Sequence, residues 1–514
     1  MIAAVETELH PRGEGRLGST EMARWAEEIV MSVDDFEKEK LGGSHSHFGM
    51  KRKRKTPSRP KMRRIFTGGK RGDGHRRRRR VQRPDPAAIR LGAPDKNLTG
   101  TAGLAAFGVE LRRRGVDQEL NRLFARLKTA PGVIYPMGAQ LRLLIDAFVA
   151  GESRVFGVEG LASDPLFVYL AGGVVPSIDT LYDDLDRFDE QALSELETLM
   201  ATQGLSRLRS LRGTYVHMDI DTSVVPIFGE HEGALPGPNP RYHGRPSFHP
   251  MLARVAETGA VIGAQLRPGN TGFGGDDVAT VRQWVARARD ALRRGVSLCV
   301  RIDSAGDCAQ MLKALHDEQV FYVIKAKVTA DLYNAVASQT RWKTTDVDVG
   351  GAPIRQVAEI DFSRGSWRHV GVPVRVIAVR SRERHGKQLF LLDDFDWTFQ
   401  AFLTNRVDDA DDIARDYDQR AGIEPLIAEL KGSWGIGHAS SYGFAANHAV
   451  LLLKLLTYNL FDLYAAQQYP MLPNWRTSWQ RRTLITVPGR ISKSGRRREL
   501  HLPAGSPLLP PQLE

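Results

Sequence analysis

The sequence predicts an α/β fold in which a core of strands and helices follows a helical region. Between residues 95 and 210, apolar residues recur at steps of three and four, the period of amphipathic helices. At Tyr215 the pattern changes to short alternating stretches rich in β-branched residues, which is typical of strands. From there to residue 330, strand-like and helix-like stretches alternate along the chain. These observations together favour a mixed sheet covered by helices.

Length and composition bound the class of protein. A chain of 514 residues with 42% hydrophobic residues can form more than one domain with a sizeable core. The N-terminus lacks a basic start followed by an apolar block, so no secretory signal is expected. The longest apolar run, 449–466, contains Lys454 and two other polar side chains, which indicates a buried helix and no membrane span. Two cysteines, Cys299 and Cys308, exclude a disulfide scaffold, and we expect a reducing cytoplasm.

The net charge of +12 is concentrated in one segment. Residues 1–50 hold 5 Lys/Arg against 10 Asp/Glu and residues 51–90 hold 18 against 2, so the remaining residues carry a net charge near +1. The basic blocks at 51–55 and 76–80 repel themselves and have few apolar neighbours, which predicts disorder. We therefore expect residues 1–94 to be an acidic and then basic leader. It would either bind phosphates independently of sequence or represent an overlong start of the reading frame.

Residues 95–210 are predicted to form a helical region, which is a candidate DNA-binding region. Pro176 and Ser177 precede a short apolar-periodic stretch and form a good helix start. The stretch LAGGVVPSIDTLYDDL has the layout of the turn and second helix of a helix-turn-helix reader of DNA. It contains few basic residues, so plain helical packing explains it equally well.

The core begins with the strand TYVHMDIDTSVVPIFG, in which Asp219 and Asp221 lie two apart and share a face. Two further apolar runs up to residue 270 complete a meander of antiparallel strands. A helix, a strand ending at Asp303, a second helix and the strand VFYVIKAKV follow. This order of elements over 211–330 is the layout of an RNase H-like α/β core.

A single helix is predicted from about Ala414 to Lys431, with Gly432 as its end. On this helix Tyr417, Arg420, Glu424 and Lys431 fall within a polar stripe about 60° wide. A solvated surface helix with an i,i+4 ion pair is the plain interpretation.

The predicted units are a leader over 1–94, a helical region over 95–210, a first core part over 211–330, a β-rich insertion over 331–405, a last core part over 406–470 and a loosely ordered basic tail over 471–514.

The spacing Tyr-x2-Arg-x3-Glu-x6-Lys over 417–431 resembles the signature around the third catalytic acid of DDE transposases encoded by bacterial insertion sequences. DIDTS at 219–223 resembles their first-aspartate motif, and AQLRPGN with RIDSAGD at 301–307 resembles their second block. GFAANHAVLLLKLLTYNLF resembles their closing helix. The resemblance covers about 95–470, and within this signature group it is to the insertion-sequence family numbered 1380.

The resemblance implies a metal-binding catalytic triad of Asp221, Asp303 and Glu424. Cleaving and joining phosphodiesters places negative charge on both the attacking and the leaving oxygen, which two Mg²⁺ ions held by carboxylates can stabilise. Mn²⁺ is expected to substitute. A lone aspartate at a strand end is more often a turn former, and Asp219 remains an alternative first ligand.

Two further roles, carried by five residues, follow from the resemblance or from the residue types. Tyr417, Arg420 and Lys431 would hold phosphates near the cut end. Trp342 and Trp367 in the insertion could stack on an extruded base, although packing within the protein is the plainer role.

The implied function is cut-and-paste transposition in the bacterial cytoplasm. The protein would bind the terminal inverted repeats of its element, cleave them with Mg²⁺ and join the freed 3′-hydroxyl to target DNA, as a homodimer on DNA and without a membrane. Two alternatives stay open, namely a catalytically inactive or domesticated DNA-binding protein and an RNase H-like nuclease without joining activity.

Overall fold

The computed structural model describes residue 86 and residues 89–508 apart from 238, 240–241, 372, 383–396, 469, 471–474 and 496. The chain divides into two units, Met1–Thr67 and Gly68–Glu514, and the described residues belong to the second. The predicted leader over 1–94 therefore lies almost entirely outside the described residues.

The described chain is mostly helical over 95–210, as predicted. Side-chain caps fix several helix starts, including Ser177, whose hydroxyl accepts a hydrogen bond from the Thr180 amide at 3.3 Å. Asp164 and Asp189 cap the helices that follow them in the same way. The helices are α1 (Gly103–Arg113), α2 (Val116–Phe124), α3 (Met137–Ala150), α4 (Val158–Leu161), α5 (Pro165–Leu170), α6 (Ile178–Leu185) and α7 (Glu190–Leu205).

Strands and helices then follow in the predicted order of three strands, helix, strand, helix and strand. The short strand β1 (Leu98–Thr99) precedes this region, and β3 (Val225–Pro226), β4 (Leu235–Pro236) and β5 (Pro246–Phe248) form a small side sheet. The ordered series is β2 (Tyr215–Thr222), β6 (Met251–Val255), β7 (Val261–Gln265), α8 (Gly275–Ala291), β8 (Ser297–Ile302), α9 (Ala309–Asp317) and β9 (Phe321–Lys325).

The predicted β-rich insertion over 331–405 is a continuation of the same sheet. It begins with a helix that the sequence analysis did not anticipate, α10 (Ala330–Ala337), capped by the Thr329 hydroxyl. Four antiparallel strands follow and attach to the outer edge of β9. They are β10 (Lys343–Val347), β11 (Pro353–Ile360), β12 (Arg375–Ser381) and β13 (Thr398–Thr404).

Among the described residues, nine strands form one mixed sheet in the order β10-β11-β12-β13-β9-β8-β2-β6-β7. The central strands β2, β8 and β9 run parallel to one another, and each outer pair is antiparallel. A parallel pair requires a crossover, and α8 and α9 supply the two crossovers. Val216, Met218 and Ile220 of β2 pack with these helices in one apolar cluster, which leaves His217, Asp219 and Asp221 on the opposite face.

The predicted single helix from Ala414 to Lys431 is broken in the structure. It consists of α11 (Ala410–Asp418), a 3₁₀ turn over Gln419–Gly422 and α12 (Ile423–Ser433), so Gly432 lies inside the last helical turn. The change of period at the turn lets Arg420 point into the protein, where it is 6% exposed. The polar stripe therefore does not face solvent as one surface.

The C-terminal helices unite the helical region with the sheet. α13 (Phe444–Gln468) is long and apolar enough to cross a membrane, but 83% of its most apolar stretch is buried in the protein. It packs against α3 and α7, and one apolar cluster joins these helices to α12 and β7. The predicted core helix is confirmed, and residues 95–210 share their core with residues 406–470.

The prediction of a loosely ordered tail over 471–514 is wrong for its described part. Residues 475–495 and 497–508 contain α14 (Thr477–Leu484) and a hairpin of β14 (Gly489–Ser494) and β15 (Arg497–His501). β14 pairs with β1, and Leu484 and Ile485 are fully buried. Apolar anchors among the basic residues thus order the segment.

Candidate active site

The parallel pairing of β2 and β8 determines where two of the predicted acids lie. Ile220 of β2 pairs with Ile302 of β8, so Asp221 and Asp303 each follow the last paired residue of adjacent strands. Neighbouring strands lie about 4.8 Å apart, so the two aspartates lie side by side at one edge of the sheet. Both side chains are partly buried. Asp303 also accepts the Ala305 amide at 2.9 Å, so it forms the turn expected of a strand-end aspartate as well.

The carboxylate of Asp221 lies in a polarised, half-enclosed position. Its Oδ1 accepts the Thr222 amide at 2.9 Å and pairs with Nη2 of Arg420 at 3.1 Å. Burial raises the pKa of Asp221 above its ordinary value, the nearby charge of Asp303 raises it further, and the Arg420 guanidinium acts in the opposite direction. The pKa of Asp221 is raised overall because the cost of burying its charge exceeds the stabilisation by Arg420.

Three side chains of the Tyr-Arg-Glu-Lys signature attach the helical segment to backbone carbonyls near these aspartates. The Tyr417 hydroxyl donates to the carbonyl of Ile302 at 3.2 Å, and Arg420 Nη2 donates to that of Ile220 at 3.0 Å. Lys431 Nζ donates to the carbonyl of Val224 at 2.8 Å. Each of these carbonyls lies within three residues of Asp221 or Asp303.

The same contacts bear on the expected phosphate binding. Tyr417 and Arg420 are 7% and 6% exposed, so both are committed to the interior. Burial raises the pKa of Tyr417, which keeps its hydroxyl protonated as a donor. Lys431 is half-buried, and burial lowers its pKa.

Glu424 lies in the first turn of α12, four residues after Arg420. Its side chain is exposed. Arg420 on one side and Lys431 on the other hold its helix against β2. The structure therefore brings Asp221, Asp303 and Arg420 together and presents Glu424 on the helix anchored beside them.

Asp219, the alternative first ligand, is buried under the site with no exposed surface. Its Oδ2 accepts from Nε and Nη2 of Arg254 at 3.1 and 3.0 Å, and its Oδ1 accepts from Nε of Arg301 at 2.6 Å. Both oxygens are thus committed to arginines from the flanking strands. This geometry favours Asp221 as the residue that faces a ligand.

An ionic network around Asp416 of α11 supports this edge of the sheet and was not found by sequence reasoning. Arg301 Nη1 donates to Asp416 Oδ1 at 3.1 Å, and Arg406 pairs with Oδ2 of the same carboxylate. His217 contacts Asp416 at 2.9 Å and Glu257 at 2.7 Å. Burial alone would lower the pKa of His217, but these two carboxylates outweigh it and raise the pKa. The available signal was Arg301, a charged residue inside an otherwise apolar strand.

His217, Cys299 and Asp416 also place their ligand atoms within 4.8 Å of one another, close enough to hold a metal ion. Burial raises the pKa of Cys299 to about 12, so the thiol remains protonated and is a poor metal ligand. Both ring nitrogens of His217 and both oxygens of Asp416 already have partners. This group is better explained as part of the ionic network.

The two tryptophans proposed for base stacking are engaged within the protein. Trp367 is 5% exposed and packs against Phe362, with ring centroids 5.9 Å apart. Trp342 donates its indole N–H to the Gln339 carbonyl at 2.8 Å, and the guanidinium of Arg380 lies 4.3 Å from its ring centroid. The structure favours the packing role for both.

The residues at the sheet edge fit a divalent metal ion. Asp221, Asp303 and Glu424 offer carboxylate oxygens, the hard ligands that Mg²⁺ and Mn²⁺ prefer. Asp221 and Asp303 lie side by side at adjacent strand ends, so a nearby cation would stabilise both carboxylates.

The chain was compared with protein families, solved structures and curated proteins. The family model described as Transposase DDE domain group 1 matches residues 85–510. Among solved structures, the chain is similar to a cryo-EM structure of the piggyBac transposase synaptic complex with hairpin DNA, with 13% sequence identity and a TM-score of 0.41. That match covers 74% of this chain and 78% of the other. Among curated proteins, none matches the sequence significantly.

Proposed function

The chain belongs to the Transposase DDE domain group 1 family. We propose that it is the transposase of a bacterial insertion sequence, within the family numbered 1380. It is a DDE transposase, and DDE transposases use divalent metal ions. In our proposal it binds the terminal inverted repeats of its own element, cleaves them and joins the freed ends to target DNA in the bacterial cytoplasm. Its core would be RNase H-like.

The observation that carries the proposal is the placement of Asp221 and Asp303 at adjacent strand ends beside Arg420. Both acids lie within the stretch that the family model matches. An acid pair at a sheet edge, with a third carboxylate on a helix anchored to the same edge, is the donor set that two-metal phosphodiester chemistry requires.

We assign Asp221, Asp303 and Glu424 to hold two Mg²⁺ ions, for which Mn²⁺ would substitute. Tyr417 and Arg420 act as positioning residues in this proposal, in place of direct phosphate contact, because their polar atoms bind the strand backbone. Lys431, which is half-buried, could exchange its Val224 contact for a phosphate. The bound ions would supply Lewis-acid stabilisation of the attacking and leaving oxygens.

The protein's own contribution is placement and electrostatics. Arg420 moderates the repulsion between Asp221 and Asp303. The contact of Lys431 fixes α12, which carries Glu424, and the contact of Tyr417 fixes the preceding helix α11. Cleavage leaves a 3′-hydroxyl, which attacks a target phosphodiester and displaces another 3′-oxygen, so the number of bonds is conserved. Two element ends must be held together for such joining, so we expect a homodimer on DNA.

The test is Mg²⁺-dependent cleavage and joining of the element's own end DNA by the full chain. Wild type should act, and Glu424→Gln and Asp221→Asn should bind the same DNA without cutting it. Glu190→Gln is a matched control, because Glu190 is also an exposed glutamate in the first turn of a helix. It should cleave like wild type.

The outcomes distinguish the alternatives. Binding without cleavage by wild type, with both Mg²⁺ and Mn²⁺, would support an inactive or domesticated DNA-binding protein. Cleavage without joining of a precut end would support a nuclease. Equal cleavage by wild type and Glu424→Gln would remove Glu424 from the catalytic triad.

A further inference from the structure

We propose that the C-terminal segment forms a second DNA-contacting surface, on which Trp475 and Trp479 stack on unpaired bases while surrounding arginines contact phosphates. We call the described part of residues 475–501 the C-terminal basic surface; it comprises α14 and the hairpin of β14 and β15. The proposal deepens the proposed function, on which it rests for the identity of the partner as DNA.

Two neighbouring tryptophans are exposed on this surface. Trp475 is 37% exposed and Trp479 is 57% exposed, and their rings meet edge to face with centroids 6.3 Å apart. The large apolar ring of tryptophan is usually mostly buried, as it is for Trp284 and Trp434, each 1% exposed. An exposed aromatic pair, with Trp475 just before α14 and Trp479 within it, therefore indicates an interaction site.

The surface is also strongly basic. Residues 475–501 hold 8 Lys/Arg against one acidic residue, whereas the rest of residues 91–514 is net acidic. Charge complementarity therefore favours a polyanion as the partner. The exposed cations on the described part are Arg476, Arg482, Arg490, Lys493, Arg497 and Arg498.

The surface is held rigidly by the rest of the protein. Arg481 of α14 donates to the Phe148 carbonyl at 2.9 Å and lies over the Trp434 ring at 4.0 Å. The start of α14 is fixed by the Thr477 amide, which donates to Glu429 at 2.6 Å. A platform fixed in this way binds without the cost of ordering a flexible segment.

The attachment to Glu429 places the surface close to the candidate active site. Glu429 follows Glu424 by five residues on α12, which corresponds to about 7.5 Å along the helix axis. The two glutamates point about 140° apart around the helix axis, so DNA engaged by Glu424 and the two aspartates would reach Trp475 and Arg476 by extending past α12. Aromatic rings that stack on any base, with arginines that bind the backbone, suit a single-stranded stretch of DNA irrespective of sequence.

The test measures DNA binding by the full chain in EDTA, so that no cleavage occurs. The probes are a short duplex of arbitrary sequence with blunt ends and the same duplex with a single-stranded 3′ overhang. Trp475→Ala/Trp479→Ala should weaken binding of the overhang probe by about fivefold or more and change blunt binding little. Arg476→Ala/Arg482→Ala should weaken both and lower the slope of log affinity against log salt by about one to two.

Matched controls separate the surface from general effects. Tyr333→Ala removes another exposed aromatic ring, 54% exposed, and Arg293→Ala/Arg294→Ala removes two exposed arginines after α8. Both should bind like wild type. Circular dichroism checks that each variant is folded.

Unchanged affinity of the tryptophan variant for the overhang probe would overturn the proposal. So would self-association of the wild type without DNA that the tryptophan substitutions abolish, because the surface would then join two copies of the chain. Since binding is measured without metal, loss of the proposed transposase activity would leave this result unaffected, and the two failures are distinguishable.

Discussion

Replacing Asp219 by asparagine is expected to destabilise the fold, whereas the same change at Asp221 is expected to remove activity with little effect on stability. The two aspartates lie on one face of β2, but their surroundings differ. Asp219 has no exposed surface and accepts three hydrogen bonds, of 2.6, 3.0 and 3.1 Å, from Arg254 and Arg301. Asp221 is partly exposed and pairs with Arg420 at 3.1 Å.

The magnitude follows from the charges left behind. Removing one partner of a buried ion pair typically costs about 3–5 kcal/mol, because the remaining charge stays desolvated. Asp219→Asn would leave Arg254 without its counter-charge, whereas Arg301 keeps Asp416 at 3.1 Å. We therefore expect Asp219→Asn to lower the free energy of unfolding by about 3 kcal/mol, at the lower end of that range.

At Asp221 the balance is different. Burial raises its pKa, so the ionised form is disfavoured in the folded protein, and a neutral asparagine relieves that cost while losing the Arg420 pair. The two effects oppose each other, and we expect a change within about 1 kcal/mol.

The assay is equilibrium urea unfolding followed by tryptophan fluorescence. Asp219→Asn should lower the midpoint clearly, and Asp221→Asn should leave it nearly unchanged. Asp317→Asn is the control, because Asp317 pairs with Lys313 on the exposed surface of α9 at 2.8 Å, where solvent screens the pair and its contribution to stability is small. An Asp219→Asn protein as stable as the wild type would refute the argument that the two arginines require this carboxylate.

Three further predictions concern the helical core and the insertion. Burial lowers the pKa of Lys454 from its ordinary value of 10.5 to about 7. Between these two pH values the unfolded chain binds more protons than the folded protein does, so the free energy of unfolding should rise with pH across that window. Lys454→Met should reduce the increase of the urea midpoint with pH. An equal increase in the wild type and the variant would contradict this prediction. Trp367→Ala should cost about 3–5 kcal/mol because the ring is buried, with DNA affinity retained; weaker DNA binding at unchanged stability would restore its base-stacking role. Gly103→Ala should lower the midpoint of thermal unfolding, because the added Cβ would lie 1.8 Å from the Leu484 carbonyl oxygen. Gly160→Ala is the control and should leave the midpoint unchanged, because the space around Gly160 is open. Equal midpoints for the two variants would contradict the close packing of α1 on α14.

The strands that carry the two candidate aspartates could be predicted from the sequence because their signals are local. The alternation around Asp221 and the strand that ends at Asp303 are patterns within short windows. The continuous helix expected through Tyr417, Arg420 and Glu424 is instead interrupted by a 3₁₀ turn. The order of strands and helices followed from the same periodicities. The buried helix α13 followed from its apolar run and its few charges.

The tail and the tryptophans show where local patterns were insufficient. The basic composition of 471–514 concealed Leu484 and Ile485, whose burial depends on α1 and on the core below it. Trp342 and Trp367 resemble Trp475 and Trp479 in sequence, and only their neighbours in space distinguish buried from exposed rings.

The sequence by itself determined the order of strands and helices over 211–330 and the types of side chain that carry the chemistry, because period and residue type act over a few residues. The tertiary structure decided which of Asp219 and Asp221 faces outward, since Arg254 and Arg301 reach Asp219 from strands 35 and 82 residues away in the chain. It also decided that Tyr417 and Arg420 bind strand carbonyls, from 115 and 200 residues away. Burial and ion pairing depend on residues that meet only when the sheet has formed, and a pattern within one strand or helix does not contain them.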